Sequence, residues 1–180
     1  GALLPFVETA EPWLYGRIEM AMARDARKHV LFDFDGVIAD SFDVSFEVRK
    51  IMCPQVKEEE YRRAFEGNIY EWAEDTFQHS DICRHDIDFF SEYIPRFKGS
   101  VKIFPGMVEV IQNLAEQSTL FIVSSTISSP IREFMEKHDA ALYFARIMGS
   151  DVHTSKVEKI NMVLAETGAA KEECVFITDT

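Results

Sequence analysis

Apolar and polar positions fall into blocks along the chain, and the blocks predict two kinds of segment. Val30, Leu31 and Phe32 form a short uninterrupted apolar run that reads as a buried strand, closed by Asp33-Phe34-Asp35-Gly36. Residues 41–99 read as helices instead. Val44, Val48, Ile51 and Met52 recur at helical spacing, as do Tyr61, Phe65 and Ile69 with Trp72 and Phe77, and then Ile87, Phe90 and Ile94. Pro54, Gly67, Pro95 and Gly99 punctuate these helices, and no strand pattern interrupts them.

From Val101 the pattern changes. Pro105-Gly106 precedes a helix carrying Val108, Ile111 and Leu114, and an apolar run at residues 120–123 leads into Ser124-Ser125-Thr126. Ser129-Pro130 predicts a helix start with a cap residue followed by Pro, and Ile131, Phe134 and Met135 give that helix its apolar face. Residues 142–148 read as a strand. Ser155-Lys156-Val157-Glu158 has the capping-box pattern, Ile160, Val163 and Leu164 follow it, and Gly168 ends the helix. Cys174 to Ile177 is the last strand. Strands alternating with helices predict an α/β fold with a parallel, Rossmann-like sheet covered on both faces. In such sheets functional groups gather at the carboxyl ends of the strands, where this chain puts Asp33 and Asp35, Ser124 and Ser125, and Asp179.

The 180 residues suffice for one main core with a small insert. Net charge is −12, which disfavours nucleic acid and an anionic membrane surface as partners. A phosphate-bearing substrate needs a cation or a local basic group to offset that charge. Cys53, Cys83 and Cys174 are widely spaced with no CxxC pair, so neither a zinc site nor a disulfide framework is expected, and a reducing, cytoplasmic setting fits. The apolar stretches of the first residues are too short for a signal peptide or a membrane span. The chain starts with Gly1 rather than Met, as a processed or tagged chain does, and the strand-like run before Thr180 is expected to continue into further chain. Residues 17–28 could form a short helix, to which no function attaches.

Asp33 and Asp35 stand two apart at a strand end, so both can serve one side. Neighbouring carboxylates repel, and a divalent cation relieves the repulsion. Asp179 at another strand end can add an oxygen ligand, and an oxygen-only set favours Mg²⁺.

The string Asp33-Phe34-Asp35-Gly36-Val37-Ile38-Ala39-Asp40 resembles the first motif, DxDGVxxD, of the haloacid dehalogenase-like hydrolases. Ser124 after its apolar run, Lys156 at a helix start and Asp179 at the last strand end are similar to that family's second, third and fourth motifs, in order. The resemblance spans residues 29–180 and implies residues 29–40 and 100–180 as the α/β core, 41–99 as a helical cap and 1–28 as an N-terminal extension. Thr178 departs from the Gly usual in the fourth motif, and that motif's second acid would fall after Thr180.

The resemblance implies a Mg²⁺-dependent phosphatase acting on a small phosphorylated metabolite. Asp33 would be the nucleophile and Asp35 the acid and base. Ser124, Ser125 and Lys156 would hold the phosphoryl oxygens. The Asp33 side chain, the Asp35 main-chain carbonyl and Asp179 would hold the metal. Motion of the cap is expected to hinge near residues 38–44 and 99–105. A phosphomutase would use the same motifs, and a non-catalytic binding module would keep the fold alone. Dehalogenation fits less well, because that branch lacks the second Asp. His29, His79, His85, His138 and His153 are scattered, and His153 is expected in a loop. Arg62 and Arg63 read as a solvated helix face, and Tyr70, Trp72 and Phe77 as packing within the cap.

Overall fold

The computed structural model describes residues 28–78 and 80–179. The expectations for residues 1–27 and for His79 lie outside the described residues. Four parallel strands form the central sheet: β1 (His29–Phe32), β4 (Thr119–Val123), β5 (Phe144–Met148) and β6 (Cys174–Ile177). Their spatial order is β5-β4-β1-β6, so β1 lies between two neighbours. Its register pairs Phe32 with Ile122 on one side and with Ile177 on the other, which brings three strand ends level. The Rossmann-like α/β expectation therefore holds.

Alternation along β1 divides the core. Val30 and Phe32 face one hydrophobic cluster together with Ile111, Ile131 and Phe134. Leu31 faces the other with Phe121, Val123, Met148 and Val163. Burial on both faces explains why these strands read as unbroken apolar runs. The covering helices are α5 (Met107–Ala115), α6 (Ser128–Lys137) and α7 (Lys156–Thr167).

Between β1 and α5 the chain runs through β2 (Ala39–Asp40), α1 (Phe42–Met52), α2 (Glu58–Ala64), α3 (Ile69–Gln78), α4 (Phe89–Ser100) and β3 (Lys102–Ile103). β2 and β3 pair antiparallel, so the two links to the helical segment are tied together where hinges are expected. The helical segment has its own cluster of Cys53, Val56, Tyr61, Ala64, Ile69 and Cys83. Val48 of α1 and Tyr93 and Phe97 of α4 belong to the main core instead.

Four local readings are corrected. Cys53 and Cys83 form a disulfide, joining residues that the helical segment's own packing brings together despite 30 positions of separation. Spacing gave no sign of this because the bridge depends on how two helices and a loop pack. Pro95 and Gly99 do not break a helix, since α4 runs through both. Burial of Tyr93 and Phe97, and the Asp88 carboxylate accepting the Ser91 N–H at 2.8 Å, outweigh the lost hydrogen bond. α6 begins at Ser128, and its first turn is held by Asp151, which accepts the Ser128 amide at 2.7 Å and its hydroxyl at 2.8 Å. The strand read at residues 142–148 opens with a 3-10 turn, Ala141–Tyr143. By contrast, Ser155 and Gly168 cap α7 as expected, Gly168 at φ 67°. Among the described residues no helix is long and apolar enough to cross a membrane.

Candidate active site

β1 delivers Asp33 to the carboxyl edge of the sheet, where its amide donates to the Ile177 carbonyl at 2.8 Å. Asp33 is only 3% exposed. One carboxylate oxygen accepts the Phe34 amide at 2.8 Å, and the other meets Nζ of Lys156. Burial pushes the Asp33 carboxyl up to about 6; Lys156 opposes that shift, and Asp35 and Asp179 add to it. Asp33, Asp35 and Asp179 therefore share one field, although they come from two strand ends.

After Asp33 the chain turns tightly. The amides of Ile38 and Ala39 donate to the Phe34 carbonyl, each at 2.9 Å, and Gly36 adopts φ 77°. A Cβ at Gly36 would fall 2.2 Å from Oδ2 of Asp179, so only glycine lets that carboxylate lie against this turn. Among the described residues no group of three or more His, Cys, Asp and Glu side chains could hold a metal ion. The Asp179 carboxylate lies against Gly36 and shares the field of Asp33, and Mg²⁺ suits so sparse a pair of carboxylates because it keeps several waters.

The Asp35 carboxylate faces hydroxyls. Ser41 donates to Oδ1 at 2.6 Å and Tyr93 at 3.0 Å, while Thr126 donates to Oδ2 at 2.8 Å and Ser124 at 3.2 Å. Sequence reading found Ser124 and missed Ser41, Tyr93 and Thr126. The first and last sit within a few residues of the motifs, but Tyr93 comes from α4 and only folding brings it there. Ser124 is fully buried, and its hydroxyl also accepts the Thr126 amide at 2.9 Å. Ser125 lines the cavity beside it, and its carbonyl accepts the Tyr70 hydroxyl.

Lys159 was also missed. It is 0% exposed, and its Nζ donates to the carbonyls of Ser124 at 2.6 Å, His153 at 2.7 Å and Gly149 at 3.4 Å. Burial pulls it down to about 8, and Lys156 adds to that. It ties the end of β4 to the loop before α7, and so sets where Ser124 and Lys156 stand. His153 is an exposed loop residue, as expected. Arg62 is exposed and paired with Glu58 at 2.7 Å. Trp72 and Phe77 pack within the helical segment, whereas Tyr70 reaches the core.

Above this floor lies a cavity of about 280 Å³. Asp35, Gly36, Ser125 and Asp179 line its lower end, and Phe42, Arg49, Tyr61, Phe65 and Phe89 line the helical side. Desolvation by that aromatic wall strengthens any charge interaction at the floor.

The sequence profile of the family described as haloacid dehalogenase-like hydrolase matches residues 30–180. No protein of curated function matches the sequence. Solved structures of similar fold include one from Bacteroides fragilis described as a haloacid dehalogenase-like hydrolase, with TM-score 0.68 and 20% identity over 85% of this chain and 79% of that one. Another, from Lactobacillus plantarum, is named as a phosphoglycolate phosphatase, with TM-score 0.66 and 17% identity over 86% of this chain and 78% of that one. A third is the CbbY protein of Rhodobacter sphaeroides in complex with phosphate, with TM-score 0.65 and 18% identity over 83% of this chain and 76% of that one. At these identities the likeness establishes the fold.

Proposed function

The chain belongs to the haloacid dehalogenase-like hydrolases, and from that membership we propose that it is a phosphatase cleaving a small phosphomonoester through an aspartyl-phosphate on Asp33. The observation that carries this reading is the contact of Lys156 with the buried Asp33 carboxylate, two residues before an Asp35 held by four hydroxyls. The names of the neighbours, a phosphatase and a protein with bound phosphate among them, support the same class.

In the first step an Asp33 oxygen attacks phosphorus, and the bond to the leaving oxygen breaks. Asp35 gives that oxygen its proton, so a neutral alcohol departs. In the second step water attacks the phosphorus of the aspartyl-phosphate and Asp35 takes its proton. The bond from phosphorus to Asp33 breaks, and inorganic phosphate leaves. Lys156, with donors at Ser124 and Ser125, offsets the phosphoryl charge. Mg²⁺ held by the Asp33 side chain, the Asp35 main-chain carbonyl and Asp179 would supply Lewis-acid polarisation and cancel the repulsion between carboxylate and phosphate. Residues 41–99 serve as a cap that excludes water, hinged at residues 38–44 and 99–105 around the β2–β3 pair. A cytoplasmic setting completes the proposal, although the Cys53–Cys83 disulfide is a feature more usual in oxidising compartments.

The test is phosphate release from a panel of phosphomonoesters, with and without Mg²⁺, by the native chain and by Asp33→Asn. Turnover that needs both Mg²⁺ and Asp33 is expected. Turnover that survives Asp33→Asn would overturn the assignment of the nucleophile. Analysis of products separates release to water from transfer to a second hydroxyl.

A further inference from the structure

The cavity's helical wall carries one charge that the phosphatase chemistry does not use. Arg49, on α1, lines the cavity while only 8% exposed. Arginine is rarely buried so far without a carboxylate partner, and among the described residues none forms an ion pair with it. Its guanidinium carbon lies 4.2 Å from the centre of the Phe89 ring and 5.3 Å from that of Phe77. Those contacts hold the flat group in place but supply no negative charge. Nε has no hydrogen-bond partner, and Nη1 reaches only the Met52 thioether, a weak acceptor, at 3.9 Å. The Tyr61 hydroxyl, kept neutral by burial, accepts a hydrogen bond from the guanidinium but brings no charge to balance it. Asp88, on the same wall, is taken up with the Ser91 amide and hydroxyl, each at 2.8 Å.

A guanidinium that lines a cavity, stacked on aromatic faces and without a carboxylate partner among the described residues, is suited to a planar two-oxygen anion. The rest of that wall is aromatic, with Phe42, Phe65, Phe89 and Phe90 suited to an apolar or flat body. The floor at Asp33 and Lys156 takes the phosphoryl group on the proposed reading, so the anion met by Arg49 is a second one. One positive charge in an apolar chamber balances one negative charge. A second phosphate would leave a surplus charge there without a partner.

We propose that Arg49 selects the substrate: it binds a carboxylate at the end of the phosphomonoester remote from the scissile bond, so the preferred substrates are phosphorylated carboxylic acids with an apolar or aromatic body. This rests on the phosphatase reading for the phosphoryl end, but not for the carboxylate end. Arg49 touches the substrate without entering either chemical step.

The test pairs phosphorylated hydroxyacids, aliphatic and aryl, each with its own primary amide. For the native chain kcat/KM should favour the acid over the amide by roughly 10- to 100-fold, the value of a charge-assisted hydrogen bond. The preference should sit mainly in KM. Arg49→Met should bring the ratio to about one, and Arg49→Lys should recover part of it, because lysine keeps the charge without the fork. Equal kcat/KM for acid and amide in the native chain would overturn the proposal whether or not the variants fold. A preference for bisphosphates over the acids would overturn the choice of carboxylate. Calorimetric binding of the dephosphorylated hydroxyacids and their amides needs no turnover. Acid-selective binding lost in Arg49→Met would sustain the Arg49 site even if no ester is hydrolysed, and equal binding of acid and amide would sink it.

Discussion

The floor of the cavity and its roof satisfy their polar groups in different ways. On the floor, which belongs to the α/β core, Asp35 accepts four hydroxyls, Asp33 accepts an amide and meets Lys156, and Lys159 finds three carbonyls. Such a network is rigid, because each member is held by several others. On the roof, aromatic rings enclose a guanidinium that no carboxylate meets among the described residues. On the proposed reading the floor carries the reaction and the roof chooses the substrate. A change on the floor should therefore cost turnover, whereas a change on the roof should alter preference or stability.

The largest expected effect tests the floor. Asp33→Asn keeps the shape and removes the charge that burial makes expensive, so stability should stay within about 1 kcal/mol of the native value. Turnover should fall about 10,000-fold or more. A collapse of both together would mean that Asp33 is a structural residue. The roof has its own staple. The Cys53–Cys83 bridge closes 30 positions, and its loss by Cys53→Ser with Cys83→Ser should cost about 3–4 kcal/mol by loop-closure entropy. Denaturant unfolding, with and without reductant, measures this. If the helical segment unfolds separately, the transition will become two-step and the floor will keep its cooperativity.

The same division decides what could be read from the sequence. The parallel strands were legible because burial on both faces leaves a continuous apolar run, and Asp33, Asp35, Ser124 and Asp179 follow directly from where those runs stop. Lys156 was legible from the helix start at Ser155. Lys159 was not, since three positions further along a helix a lysine ordinarily faces solvent, and only the packing of α7 on the sheet buries it. Tyr93 and Arg49 were hidden for a related reason. Arg49 sits on α1, whose apolar residues divide between two clusters, and Tyr93 sits on α4 among residues of the main core, so periodicity cannot say which side opens on the cavity. The disulfide and the Asp151 cap on α6 join distant positions and leave no local pattern.

Lys159 offers a sharper probe of how tightly the floor is held. Its pKa of about 8 in the folded chain lies below the ordinary lysine value of 10.5, with burial as the first cause. Between those two values the unfolded chain binds the proton and the folded chain does not, so stability should rise with pH across that window. The slope should approach about 1 kcal/mol per pH unit, and below about pH 8 the cost of burying the charge is fully present. Urea unfolding at pH 8 and above, in the native chain and in Lys159→Met, isolates this group from the tyrosines. The native chain should gain stability over the variant as pH rises. Parallel curves would mean that three carbonyls hold the ammonium charged throughout.

The smallest effect discriminates best between floor and roof, because it compares two tyrosines whose hydroxyls touch different groups. Tyr93 donates to the Asp35 carboxylate, and Tyr70 donates to the main-chain carbonyl of Ser125. Each reaches the floor from the helical segment, and each Phe replacement keeps the ring. Tyr93 packs against Phe89 and Phe97, so Tyr93→Phe should preserve its core and cost about 1 kcal/mol for one hydrogen bond. That loss falls on the orientation of the proposed acid and base, so kcat should drop roughly tenfold with KM nearly unchanged. Tyr70→Phe removes a tie between the closed helical segment and the loop after β4. It should raise KM a few-fold while kcat for bound substrate holds. If both variants change the same parameter, the floor and roof are one mechanical unit, and closure of the helical segment is itself part of aligning Asp35.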